Sequence, residues 1–215
     1  MKSTIKLSWF LAFLFICTSV TKGFAQTKDD ILNENADITF LGLDFSQAKF
    51  IGDASNFGDA GEVTNNDFRD KYIPGWAALY IDEQKKYDIS KLLDYKKDIP
   101  YDLDITEKAN GLLGKKDFFS SNLDDYKKIT EDNIDAIVKK YNFQGKKGVG
   151  MIVFVEGMSK GKKEAGGWVT FVDMGSKKVL ITVYETGRAE GFGFKNYWAK
   201  AFYNIVKAAK IKDLK

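Results

Sequence analysis

The sequence predicts an α+β domain: a mostly antiparallel sheet of about five strands with three helices packed on it, in the order β-α-β-α-β-β-β-α. Three observations carry that prediction. Met151–Val155, Trp168–Val172 and Val179–Tyr184 are short apolar, β-branched and aromatic runs separated by glycine- and lysine-rich connections, the pattern of consecutive strands joined by tight turns. From Phe194 the period changes, and Phe194, Tyr197, Trp198, Ala201, Phe202, Ile205, Val206 and Ala209 recur at the three-and-four spacing of one helical face. Between residue 26 and that meander, strand-period and helix-period segments alternate without an internal repeat or a Pro/Ser linker, so residues 26–215 read as a single domain.

Residues 1–25 read as a secretory signal peptide. Lys2 and Lys6 supply the positive start, Leu7–Val20 contains an apolar core, and Gly23-Phe24-Ala25 places small residues at the two positions a signal peptidase reads. The apolar core is shorter than the ~20 residues that span a bilayer, so no transmembrane segment is expected in the mature chain. Bulky Ile16 before Cys17 does not fit a lipobox. The expected destination is the periplasm or the medium, after cleavage near Ala25. The leader also holds the charge excess. Without Lys2, Lys6 and Lys22 the 33 basic side chains fall to 30, against 30 acidic ones. A neutral chain of mixed signs argues against nucleic acid as a partner, because phosphate neutralisation needs a concentrated basic face.

The chain contains no histidine, and its one cysteine, Cys17, departs with the leader. Disulfides, thiolate nucleophiles, cysteine or histidine metal sites and any triad with an imidazole base are thereby excluded. No cofactor and no metal is expected, and any catalyst would have to work with Asp, Glu, Lys, Tyr or Ser.

Along the mature chain, Ile38–Phe45 reads as the first strand, and Lys49–Ile51 as its continuation after a kink at Ser46-Gln47. Asp53–Asn66, rich in Gly, Asn and Asp, reads as a surface loop. Phe68, Tyr72, Trp76, Leu79 and Tyr80 share one stripe of a helix over Asn65–Lys85, and Pro74 inside it predicts a kink or break. Asp88–Leu93 offers a further helical turn. Pro100–Thr106 alternates apolar and acidic residues, which predicts a half-buried edge strand. Asn110–Lys128 shows no regular period. Thr130 is an N-cap with Glu131 and Asp132 in the first turn, and Ile134, Ile137, Val138 and Tyr141 give that helix its buried face.

Two sets of residues are candidates for function. The loop from the last strand into the last helix, Thr186-Gly-Arg-Ala-Glu-Gly-Phe-Gly-Phe-Lys-Asn-Tyr-Trp198, holds Arg188, one of two arginines, and the aromatics Phe192, Phe194 and Trp198. Backbone N–H groups there could cradle an anion, and the aromatics could form a binding hot spot. Alternatively, Gly187, Gly191 and Gly193 only permit a chain reversal and the aromatics cap the core. Phe192 fits the helical stripe least and is the best candidate for an exposed contact. The second set is Asp44, Glu156, Asp173 and Glu185, acids near strand ends, where a pair could perform general acid–base chemistry if two of them met. No acidic loop has the twelve-residue spacing of a calcium site.

Thr39-Phe-Leu-Gly-Leu-Asp-Phe-Ser-Gln-Ala-Lys-Phe-Ile-Gly52, Lys85-Lys-Tyr-Asp88 and Gly191-Phe-Gly-Phe-Lys-Asn-Tyr-Trp-Ala199 together resemble a family of exported Bacteroidetes proteins of unknown function. The resemblance covers most of the mature chain and implies residence in the cell envelope without supplying an activity. In plan, Val169–Lys210 is also similar to envelope accessory lipoprotein modules, such as the curli-secretion lipoprotein and the lipoprotein activators of penicillin-binding proteins. The chain departs from those in lacking a lipobox. The expectation is a non-enzymatic module that binds an envelope protein or another envelope component. The alternative is a carboxylate-dependent hydrolase of glycans or related polymers.

Overall fold

The computed structural model describes residues 26–52 and 61–210, so the expected leader and most of the expected Asp53–Asn66 loop lie outside the described residues. The chain opens with a short helix, α1 (Lys28–Leu32), and enters the sheet as β1 (Ile38–Asp44) and β2 (Lys49–Ile51). Later come β3 (Phe119–Ser120), β4 (Val149–Ser159), β5 (Glu164–Asp173) and β6 (Lys178–Arg188). The fold is α+β, as the residue pattern predicts.

The sheet is mixed: antiparallel pairs form the larger part, as expected, and parallel pairs join them. Its order is β3-β2-β4-β5-β6, with β1 also paired to β4. β4, β5 and β6 form the antiparallel meander, whereas β1 and β2 both run parallel to β4, Leu43 opposite Val153 and Phe50 opposite Met158. They are two halves of one line of chain, interrupted at residues 45–48. Some hundred residues, helices included, separate this line from β4, enough for the crossover a parallel pair requires.

The stripe from Phe68 to Tyr80 is buried, and the helix that carries it does not break at Pro74. It starts as α2 (Asn65–Asp67) behind Thr64, whose side chain accepts from the Asp67 amide at 3.1 Å. It widens into a π turn over Phe68–Tyr72 and continues as α3 (Ile73–Asp82). The Ile73 N–H reaches back five residues to the Phe68 carbonyl. The wider turn accommodates the ring of Pro74, which has no N–H to offer the preceding turn, so the axis carries on.

After α4 (Ile89–Leu92), the segment expected as an edge strand departs from that reading. Only Tyr101 makes a bridge, to Phe40, and the chain then coils into α5 (Asp104–Gly111). The inward face of α5 carries Thr106 and Asn110, both buried, beside Leu103 and Ile105. Two of these four are polar, and a helical face half made of polar side chains is invisible to hydrophobic periodicity. α6 (Glu131–Lys140) and α7 (Phe194–Ala208) complete the set, α6 behind a capping box of Thr130 and Asn133.

Two cores result. The larger packs α3 and α7 on one face of the sheet, with Phe45 stacked on Trp76 at 5.3 Å and Trp76 edge-on to Phe202 at 5.1 Å. The smaller gathers Ile134 and Val138 of α6 with Leu41, Ile152, Phe154 and Trp168. Among the described residues no helix is long and apolar enough to cross a membrane.

Candidate functional site

The turn from β6 into α7 presents its most exposed aromatic residue on a tightly held tip. Gly187, still within β6, has an ordinary backbone and is glycine for space: a Cβ there would strike the Ala201 carbonyl of α7. Beyond it, the Ala189 amide donates to the Lys163 carbonyl at 2.8 Å, and the Asn204 side chain donates to the Arg188 carbonyl at 2.8 Å. Gly191 (φ 116°) and Gly193 (φ 78°) adopt angles that side chains disfavour, and they turn the chain into α7. On the far side the Trp76 indole N–H donates to the Lys195 carbonyl at 2.8 Å. Between these anchors Phe192 stands 96 % exposed.

The other three residues singled out in this loop are placed differently. Arg188 is exposed and its charge is answered locally by Glu190 at 3.2 Å. Phe194 and Trp198 are fully within the larger core, Phe194 against the Tyr72 ring at 4.4 Å and Trp198 edge-on to Phe50 at 5.4 Å. The aromatic density of the loop is therefore mostly the docking of α7 on the sheet, and Phe192 is the part that faces outward.

The four acids are distributed along the sheet, and no hydrogen bond joins any two of them among the described residues. Asp44 is wholly buried and accepts from the Ser46 amide at 2.7 Å and the Tyr141 hydroxyl at 2.8 Å. Burial raises its carboxyl above the ordinary value near 3.8, against the opposing pull of Ser46, Tyr141 and Lys116. Glu156 is buried as well. It accepts from the Lys128 and Ile129 amides and, at 2.9 Å, from the Trp168 indole. Asp173 accepts from the Gly175 amide at 2.9 Å and the Ser176 amide at 3.3 Å, closing the β5–β6 turn, and also from the Gln26 amide. Burial pushes the Asp173 carboxyl up, but those hydrogen bonds together bring it below the ordinary range. Glu185 is half-buried on β6, and burial raises its carboxyl.

The first three acids thus hold backbone in place. Glu156 grips the segment leading into α6 and Asp44 grips Tyr141, the residue that ends it, so two strand acids pin the two ends of one helix. Apart from Ser46, two residues after Asp44, their donors come from other segments of the chain, and no local signal announced those.

One group escaped the sequence reading. Lys116 donates to the Ser46 carbonyl at 2.7 Å, and burial first, then the neighbouring Lys49, lowers its ammonium to about 8. Its signal in the sequence is only a lysine pair before Phe118. A cleft of about 580 Å³ also opens between the π turn and α5, with Ile73, Pro74 and Ala77 as its apolar lining. Arg69 borders it but is already committed, to Asp70 through both carboxylate oxygens and to the Gly114 carbonyl at 2.7 Å.

Comparison of the chain with protein-family models, with curated proteins and with solved structures finds no match in any of the three.

Proposed function

We propose that this is an exported cell-envelope protein, periplasmic or secreted, that works as a non-enzymatic module binding another protein or an envelope component through the β6–α7 tip. The observation that carries the reading is Phe192. A large aromatic ring held in water by a turn anchored on both sides costs hydrophobic free energy, which contact with a partner would recover. Aromatic anchors of this kind dominate binding energetics where they occur. The hydrolase alternative lacks a pair to rest on, because Asp44 and Glu156 spend their oxygens on Tyr141, Trp168 and backbone amides.

A photo-crosslinking amino acid placed at position 192 in growing cells tests the proposal, with the exposed Leu123 as the control position. The expected result is a discrete adduct from position 192 and none from position 123. Phe192→Ala should lose that capture while changing stability by no more than about 0.5 kcal/mol, as surface substitutions do. Phe194→Ala, two residues on, should cost about 3–5 kcal/mol by opening the core. Identical adduct patterns from positions 192 and 123 would remove the support for the reading.

A further inference from the structure

Beside the Phe192 tip, two adjoining troughs of about 520 and 360 Å³ run between α7 and the turn that follows α3, and they share Lys86 and Tyr203. Asn196, Lys200, Tyr203 and Lys207 form the α7 wall, at the spacing of a single helical stripe. The lining holds six lysines, Lys85, Lys86, Lys91, Lys200, Lys207 and Lys210, against Asp88, Asp94 and Glu190, with Lys91 paired to Asp88 at 2.8 Å and Lys86 paired to Glu83 just outside the lining at 2.9 Å. In a chain whose charges balance outside the leader, this is a local excess of positive charge.

The tyrosines are arranged to complement it. Tyr203 meets Tyr87 edge-on at 6.1 Å, the Lys200 ammonium lies 4.2 Å from the Tyr203 ring centre, and that of Lys86 lies 5.0 Å from the centre of Tyr87. Tyr203, half-buried, offers the one partly exposed ring between the two troughs, while Tyr87 behind it is buried in the larger core.

We infer that this trough binds an acidic glycan strand, its sugar rings over Tyr203 and its carboxylates along the lysines. The inference rests on the binding reading above and names the envelope component. A compact anion would need donors converging on one point, whereas Lys200 and Lys207 stand about 10 Å apart along the helix, which suits charges repeated along a chain. A simple polyanion would make no use of the partly exposed Tyr203 ring, while a sugar ring supplies an apolar face to pack beside it. No arginine lines the trough, so the cations act as point charges without the bidentate fork that selects phosphate.

The test is titration of the purified protein with oligogalacturonate, with a neutral oligosaccharide, poly-glutamate and phosphatidylglycerol vesicles as the other arms. Oligogalacturonate should bind, and binding should weaken as salt rises. The pair Lys200→Gln/Lys207→Gln should weaken it about tenfold or more, and Tyr203→Ala should also weaken it. Lys139→Gln/Lys140→Gln, on the exposed end of α6, should leave it unchanged, with thermal melts confirming that every variant folds. Equal or tighter binding of poly-glutamate or vesicles, equal loss from the α6 pair, or no binding of oligogalacturonate overturns the inference. If position 192 still captures its partner when the glycan titration fails, this inference alone is lost. Failure of both removes the binding reading too.

Discussion

A carboxyl group on the buried face of a sheet is expensive unless donors surround it, and Asp44 shows how incomplete that compensation is. It has two strong donors, Ser46 and Tyr141, yet burial still outweighs them and its affinity for a proton rises. The folded protein therefore holds this proton to a higher pH than the unfolded chain does. The stability that follows is complete below the ordinary value near 3.8 and is lost as pH climbs through the raised folded value. Asp44→Asn has no proton to lose. The unfolding free energy of the variant relative to the parent should accordingly move in the variant's favour between pH 4 and pH 7, by about 1 kcal/mol for each unit that the folded value is raised. Urea midpoints at pH 4, 5.5 and 7 measure this directly. A difference that stays flat across the range would mean that the ionised carboxylate is fully compensated in the fold.

At the scale of elements, the unusual piece is α5, which does the work of a strand with side chains. The outer edge of β1 would otherwise present bare backbone, a template for pairing with another chain. The bridge at Tyr101 serves Phe40, and from there Thr106 donates to the Leu41 carbonyl. Asn110 then donates to the Leu43 carbonyl and accepts from the Phe45 amide, both at 2.9 Å. Asn110→Leu, close in volume but without these bonds, should cost about 2–4 kcal/mol, since it leaves a buried donor and a buried acceptor unpaired. It should also raise light scattering at moderate temperature as the β1 edge opens. Loss of stability without added scattering would show that other contacts suffice to keep that edge covered.

The same element shows where the sequence could be read and where it could not. The β4–β6 meander and α7 are legible because their inward faces are continuously apolar and their spacings unambiguous. The stripe of α7 already places Trp198 inward and leaves Phe192 outside it. α5 is not legible, because Thr106 and Asn110 face inward to bond backbone that lies 65 and more residues away. The parallel placement of β1 and β2, the Tyr141 donor to Asp44 and the donors around Glu156 share that cause. They are set by contacts between distant segments, and hydrophobic periodicity contains no term for these. The trough beside α7 joins two such segments, so Lys86 and Lys200 could be recognised as neighbours only in the fold.

For the whole molecule, one sheet separates two cores of unequal size, and this asymmetry predicts how the protein opens. The larger core ties α3, α7 and most of the sheet together through stacked aromatics. The smaller one takes Ile105 from α5 but rests mainly on the ten-residue helix α6, which is pinned to the sheet at one end by Glu156 and at the other by Asp44 through Tyr141. Removing a pin should release that helix without dissolving the rest. Glu156→Ala strips the partner from two part-buried backbone amides and one buried indole, and the indole left unpaired costs about 1–3 kcal/mol. Water can reach the amides if α6 lifts away, so local opening becomes the cheapest response. Amide hydrogen exchange on this variant should then show α6 exchanging about tenfold faster or more relative to the parent. The central strands β4 and β5 and the helix α7 should keep nearly all their protection. Uniform acceleration across all of these elements would show instead that the two cores unfold as one, and that Glu156 stabilises the whole sheet.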